Sequence, residues 1–187
     1  MSAPAEIPAA VARLNWGCGA YPELGWINSD QKDGPGIDVS CDIRNGLPFP
    51  DACFDYAVSI HALPELPLDA LTPALAELRR VLRPGGVLRL GLPDLEKGLR
   101  AFLAGDRGYF LIPDEDARSL GGKLVTQLLW YGWSRSLFTR DSVAELLERA
   151  GFREIAHCAY RTTPSPFPEI VELDNREGES LFVEGTR

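Results

Sequence analysis

The sequence predicts an α/β fold, a sheet of short buried strands joined by right-handed crossovers. Three observations carry that expectation. Short apolar runs at Val11–Leu14, Phe54–Ile60 and Val87–Leu92 stop at turn-forming residues. Helical stripes separate them, with Leu75, Leu78 and Leu82 on one face and Val143, Leu146, Leu147 and Ala150 on another. The first run leads into Asn15-Trp16-Gly17-Cys18-Gly19. A Gly-x-Gly turn after a buried strand lets backbone pass close to a ligand, or meets a turn's need for positive φ.

After that turn, Ala20 to Trp26 is too rich in breakers for a long helix, and Ile27-Asn28-Ser29-Asp30 is a second strand ending on a carboxylate. Ile37 to Ile43 reads as a third strand carrying Asp42, and Phe54 to Ile60 as the clearest buried one. A helix is expected from Thr72 as cap with Pro73 at its first position, stopped by Arg83-Pro84-Gly85-Gly86. The pattern changes between Pro93 and Phe138, with helices expected over Leu95–Ala104 and Lys123–Tyr131. Asp141 to Ala150 is a helix with Gly151 as its stop, Phe152 to Tyr160 a strand, Thr163 to Pro168 a loop, and Leu181 to Val183 a closing strand.

Composition narrows the function. The 187 residues are enough for one domain with its own core, and 45% hydrophobic and 25% charged residues are ordinary for a soluble protein. A formal charge of −8 argues against nucleic acid as partner, since phosphate neutralisation needs clustered cations. The densest basic group, Arg79-Arg80-Arg83, reads as a solvated helix end. Cys18, Cys41, Cys53 and Cys158 form no Cys-x-x-Cys pair, so four free thiols, no metal and a cytoplasmic location are expected. Met1 to Ala10 has no signal-peptide pattern and reads as a lead-in, and no run of 18 apolar residues implies a membrane.

In an open α/β sheet, ligands sit beyond the carboxyl ends of the strands. Asn15, Asp30, Asp42, Ser59, His61 and Asp94 lie at those ends. Asp30 and Asp42 are turn formers taken singly. Together, downstream of the glycine turn, they suit a ribose contact and a base contact. A dinucleotide would need a helix N-terminus on its pyrophosphate, and Pro22 stands where that motif has its third glycine. A nucleoside ligand without a phosphate fits better.

At these residues the chain resembles the class I S-adenosylmethionine-dependent methyltransferases, especially a small bacterial subgroup. The matching segments are Leu14 to Gly19, Gly25 to Asp30, Leu47 to Asp51 with Phe54-Asp55, Pro84 to Arg89, Pro93 to Leu95 and Ala150 to Phe152. The resemblance implies a Rossmann-like, seven-stranded, mostly parallel sheet of order 3-2-1-4-5-7-6, its last strand antiparallel, with helices on both faces. It implies one domain over 1–187 with 95–138 as an inserted helical cap, and S-adenosylmethionine as cofactor. Asn15, Trp16, Gly17, Cys18 and Gly19 would run beside the methionine part. Asp30, with Gln31 beside it, would take the ribose hydroxyls, Asp42 and Ile43 the adenine, and Ser59, Ile60 and His61 the edge near the methyl. The chain departs from the family at Asn15, where an acid is usual, at Tyr21 for a third glycine, at Pro64-Glu65 for Glu-His, and at Trp133-Ser134-Arg135 where relatives carry a histidine.

Methyl transfer needs mainly alignment in a dry pocket, with a base only for a protonated nucleophile. His61 is the expected base by position, against a loop histidine hydrogen-bonded to backbone; Asp94 and Glu65 are further candidates. Trp130, Tyr131 and Trp133 would roof an acceptor site, form a dimer patch, or pack the core, and core packing is favoured. Cys18 reads as a small buried side chain. The expected function is methylation of a small-molecule acceptor by a monomer or homodimer; the alternative is a fold that binds cofactor or a partner without turnover.

Overall fold

The computed structural model describes residues 12–187, so Val11 of the first run and the lead-in at Met1 to Ala10 lie outside the described residues. Seven strands, β1 (Arg13–Trp16), β2 (Ile27–Asp30), β3 (Val39–Ser40), β4 (Phe54–Ile60), β5 (Leu82–Pro93), β6 (Arg153–Cys158) and β7 (Ser180–Thr186), form one sheet. Its order is β3-β2-β1-β4-β5-β7-β6. β1 to β5 run parallel, and β7 is antiparallel to both β5 and β6. This is the Rossmann-like methyltransferase topology the resemblance implied.

Strand alternation divides the core. Leu14, Phe54, Leu88 and Leu90 face helices α1 (Leu68–Val81) and α4 (Arg140–Arg149), meeting Leu75, Leu78, Val143 and Leu147. Each large apolar side chain buried there contributes about 1.5–3 kcal/mol. The opposite face carries Trp26, Tyr56, Val58 and Val87, covered by Ile170 in a 3₁₀ turn at Pro168–Val171. Arg89 points to that second face from the middle of β5. Its Nε and Nη2 bind Asp174 at 2.7 and 2.5 Å, and its Nη1 binds Glu184 at 2.6 Å, all within the interior.

Several boundaries shift from those expected. α1 begins at Leu68, a turn before Thr72, with Pro73 inside it. Pro73 lies on the exposed side, so the carbonyl it leaves unpaired faces water, and the extra turn buries Leu71. β3 is two residues long because Asp42 turns the chain as the cap of a 3₁₀ turn at Ile43–Asn45. β5 starts at Leu82, and its partner on β4 jumps from Leu82 at Phe54 to Val87 at Tyr56, so 83–86 bulge. A Cβ at Gly86 would come 2.9 Å from the carbonyls of Arg83 and Asp55, which is why the bulge needs glycine there. The basic trio is partly solvated, with Arg83 exposed, and each member has a partner. Arg80 bridges Glu77 and Asp51 at 2.6 Å each, Arg79 donates to Gly151 O at 2.8 Å, and Arg83 pairs with Asp55 at 2.5 Å.

Residues 95–138 leave and rejoin the sheet at one point, where Leu95 N–H donates to Phe138 O at 3.1 Å. Asp94 caps α2 (Leu95–Leu103), and Gly98 on α2 lies against Leu124 and Leu128 of α3 (Leu120–Leu129). Capping by Ser119 places Gly121 and Gly122 inside the first turn of α3 rather than ahead of it, and α3 ends before Trp130. The far end is held by Pro64 O, which accepts from the N–H groups of Arg135 and Ser136 at 2.7 and 3.1 Å.

Candidate functional site

The glycine turn is fixed from β2. Gly17 and Cys18 N–H groups both donate to Ser29 O, at 2.7 and 3.2 Å. Gly17 has φ +68°, and a Cβ there would run into Ala62 Cβ, so only glycine lets the turn pass the end of β4. Gly19 has φ +55° with open space beside it, and its N–H donates to Asp30 Oδ2 at 2.8 Å.

Asn15 explains its own departure from an acid. Its Nδ2 donates to Tyr21 O at 3.2 Å and to Asn28 Oδ1 at 3.0 Å. The Asn28 amide donates to Glu23 O, Trp26 O and Asp38 Oδ2, so only its oxygen is left to face position 15. Position 15 therefore needs a donor, which a carboxylate is not.

Asp42, at the end of β3, accepts from Arg44 Nε at 2.9 Å and Nη2 at 2.6 Å, and that guanidinium holds its carboxyl below the usual carboxylate range. Gln31 Nε2 reaches the same carboxylate at 3.4 Å.

These pieces enclose a cleft of about 340 Å³ beyond the carboxyl ends of four strands. It brings together Trp16, Gly17, Cys18 and Gly19 after β1, Asp30 and Gln31 after β2, Asp42 and Ile43 after β3, and Ile60 with His61 after β4. Asn15 and Ser59 are both buried; Asn15 lines an adjoining pocket with Gly17, Cys18, Ile60 and Arg176 rather than this cleft, and Ser59 lines neither. Asn15 ties the loop from the face opposite its neighbours Leu14 and Trp16, and Ser59 Oγ has no hydrogen-bond partner among the described residues. Cys18 is buried, and burial, with Asp30 second, pushes its thiol up to about 11, which disqualifies it as a thiolate nucleophile.

His61 sits at the seam between this cleft and a second pocket of about 100 Å³. Its φ is +58°, its N–H donates to Gly91 O at 2.8 Å, and its Nε2 is 2.7 Å from Ser180 Oγ. Burial, helped by the Arg176 charge, pushes the ring down to about 3. His61 is therefore neutral near pH 7, with one ring nitrogen committed to a side chain rather than to backbone.

The second pocket lies under α2 and α3, and its wall includes Tyr109, Phe110, Trp130 and Trp133. The aromatic cluster does not pack the core, as favoured from sequence: Tyr131 is 53% and Trp133 56% exposed. Trp130 and Tyr131 have positive φ, at 43° and 56°, costly for residues with a side chain, Gly132 follows at 93°, and both tryptophans line the pocket. Lys32 Nζ lies 4.8 Å from the Trp133 ring centre on the cleft side.

Sequence reasoning missed Arg176 and Glu179. Arg176 borders both the cleft and the pocket, and Glu179 borders the pocket. They lie in an irregular segment before β7 with no periodicity, and only their charge marked them.

No helix follows the glycine turn before residue 43, so nothing there would hold a pyrophosphate; two separated carboxylates at strand ends fit a nucleoside without one. The methyltransferase domain family model matches residues 23–90, from the loop before β2 through most of β5. The sheet order and the matched segment are similar to those of class I methyltransferase domains. Among individual proteins, the chain is similar to the probable methyltransferase ltbC of Aspergillus luteorubrus, 45% identical over 64 residues. That similarity covers 30% of this chain and 21% of the relative's length. A methyltransferase of Archaeoglobus fulgidus superposes with a TM-score of 0.62 at 12% identity, over 95% of this chain and 87% of the other. One of Thermotoga maritima, described as a possible histamine N-methyltransferase, gives 0.58 at 21% identity, over 94% and 81%. At these identities the two structures establish the fold.

Proposed function

We propose that this chain is an S-adenosylmethionine-dependent methyltransferase that methylates a small-molecule acceptor by in-line transfer. The observation that supports the proposal is that the strand-end cleft and the second pocket adjoin, sharing His61, Glu65, Trp133 and Arg176 in their walls. S-adenosylmethionine, when bound, supplies an electrophilic methyl on a sulfonium. Asp30 would hold the ribose hydroxyls, Asp42 and Ile43 the adenine, and the Gly17–Gly19 backbone the methionine part.

The chain's own work is then positioning. The second pocket aims an acceptor at the seam, and the helices of 95–138 act as a cap that keeps water out. Neutral His61 is a wall of that seam, held by Ser180; a ring with so low a pKa is a weak proton acceptor.

Calorimetry with S-adenosylmethionine and S-adenosylhomocysteine tests the cofactor assignment. Micromolar binding of both is expected, and Asp30→Ala should weaken it at least tenfold through loss of a charged acceptor. No binding at millimolar concentration would refute the proposal. Acceptor-dependent release of S-adenosylhomocysteine separates turnover from binding alone.

A further inference from the structure

Resting on the methyltransferase function proposed above, we infer that the pocket beneath α2 and α3 takes acceptors whose nucleophile is an amine, admitted as the ammonium ion. Three carboxylates, Glu65, Asp94 and Glu179, border this pocket of about 100 Å³, against one guanidinium, Arg176. That guanidinium is already engaged, 3.6 Å from Glu179 and 5.7 Å from the centre of the Trp130 ring.

Asp94 is the anchor. It is only 3% exposed, and its Oδ1 accepts the Lys97 N–H at 3.0 Å to cap α2. Its Oδ2 has no hydrogen-bond partner among the described residues. The nearby Lys97 ammonium is turned away, donating to the carbonyls of Glu177 and Ser180 at 3.0 and 2.7 Å. Asp94 Oδ2 is not among the fully buried unpartnered atoms, so it stays open on the pocket side, where a cation would pair with it.

Tyr109 locates the second side of the same space. Burial, then the charges of Asp94 and Glu179, push its hydroxyl up to about 12, and all three residues line the one pocket. Burial also raises the Glu179 carboxyl, with Arg176 opposing.

The rest of the pocket suits an ammonium group. Trp130 and Trp133 line it with aromatic rings, which attract a desolvated cation, and His61 adds no positive charge. A carboxylate acceptor would meet like charge from Asp94 and Glu179. An ammonium nitrogen must shed one proton before it becomes a nucleophile, and the Glu179 carboxylate is placed to take it.

The test titrates the full chain with benzylamine, benzyl alcohol and benzoate at pH 7.5 by calorimetry, with and without S-adenosylhomocysteine. Benzylamine is expected to bind at least tenfold more tightly than either analogue. Asp94→Asn, which keeps the helix cap, and Glu179→Gln should each cut that preference at least fivefold while leaving S-adenosylhomocysteine affinity within twofold. Equal binding of the three probes, no binding of any, or a preference untouched by both substitutions would overturn the inference. Failure of S-adenosylhomocysteine to bind would instead refute the methyltransferase function, and the amine preference measured without it still decides the chemistry of the pocket.

Discussion

Replacing Arg89 by methionine removes the only cation from a buried cluster that pins the second face of the sheet. In the parent protein Arg89 is fully buried and binds Asp174 through two nitrogens and Glu184 through a third. Without it, Asp174 keeps the Arg161 N–H at 2.8 Å and Glu184 keeps the Thr163 hydroxyl at 2.8 Å, and neither interaction carries a full charge. Each ion pair is worth about 4 kcal/mol at 4 Å in an effective dielectric of about 20. Desolvation offsets much of that in the intact cluster. Deleting one partner leaves the other charges buried, and the net loss is about 3–5 kcal/mol. That is a large share of the roughly 5–15 kcal/mol that stabilises a domain.

Urea unfolding of parent and variant at pH 8, followed by circular dichroism, measures the loss. A loss under 1 kcal/mol would show that the cluster does not hold the fold.

Three further outcomes follow from the site. Gly17→Ala forces a Cβ against Ala62 at a left-handed φ, so unfolding should cost about 2–4 kcal/mol less, measured by denaturant melts, with S-adenosylhomocysteine binding weakened in parallel. Asn15→Asp restores the residue common in the family yet should destabilise by about 1–3 kcal/mol, because two acceptors face it; equal melting curves would contradict the hydrogen-bond assignment. The His61 ring should show no titration by NMR between pH 8 and 4.5. Because its folded pKa of about 3 lies below the unfolded value of about 6.5, the parent loses stability as pH falls through that window, and His61→Asn should lose less; a midpoint near 6.5 would rule out the buried, neutral ring.

Much of the cofactor side of the candidate site was legible in the chain. Glycines at 17 and 19 mark a left-handed turn, and Asp30 and Asp42 mark strand ends because a carboxylate without a cation partner is rarely buried within a strand. What the one-dimensional pattern concealed was which way a polar residue faces. Ser59 stood at a strand end but is fully buried, and Asn15 lines a pocket beside the cleft rather than the cleft itself, because neighbours along a strand alternate faces. The aromatic cluster deceived for a related reason. Large aromatics usually pack a core, whereas Trp130 and Trp133 line a pocket wall where three consecutive residues, 130–132, have positive φ.

By itself the sequence determined the alternation of strand and helix, the glycine turn and the order of carboxylates beyond it, since these follow from local periodicity and from what a turn's backbone demands. The second pocket was decided by tertiary structure alone. Asp94, Tyr109 and Glu179 are separated along the chain by loops and a helix, and only the clamping of 95–138 against the strand ends and the antiparallel return of β7 bring their oxygens to one space. The same holds for Arg89, a charge in an apolar strand whose reason appears only when Asp174 and Glu184 arrive from 85 and 95 residues away.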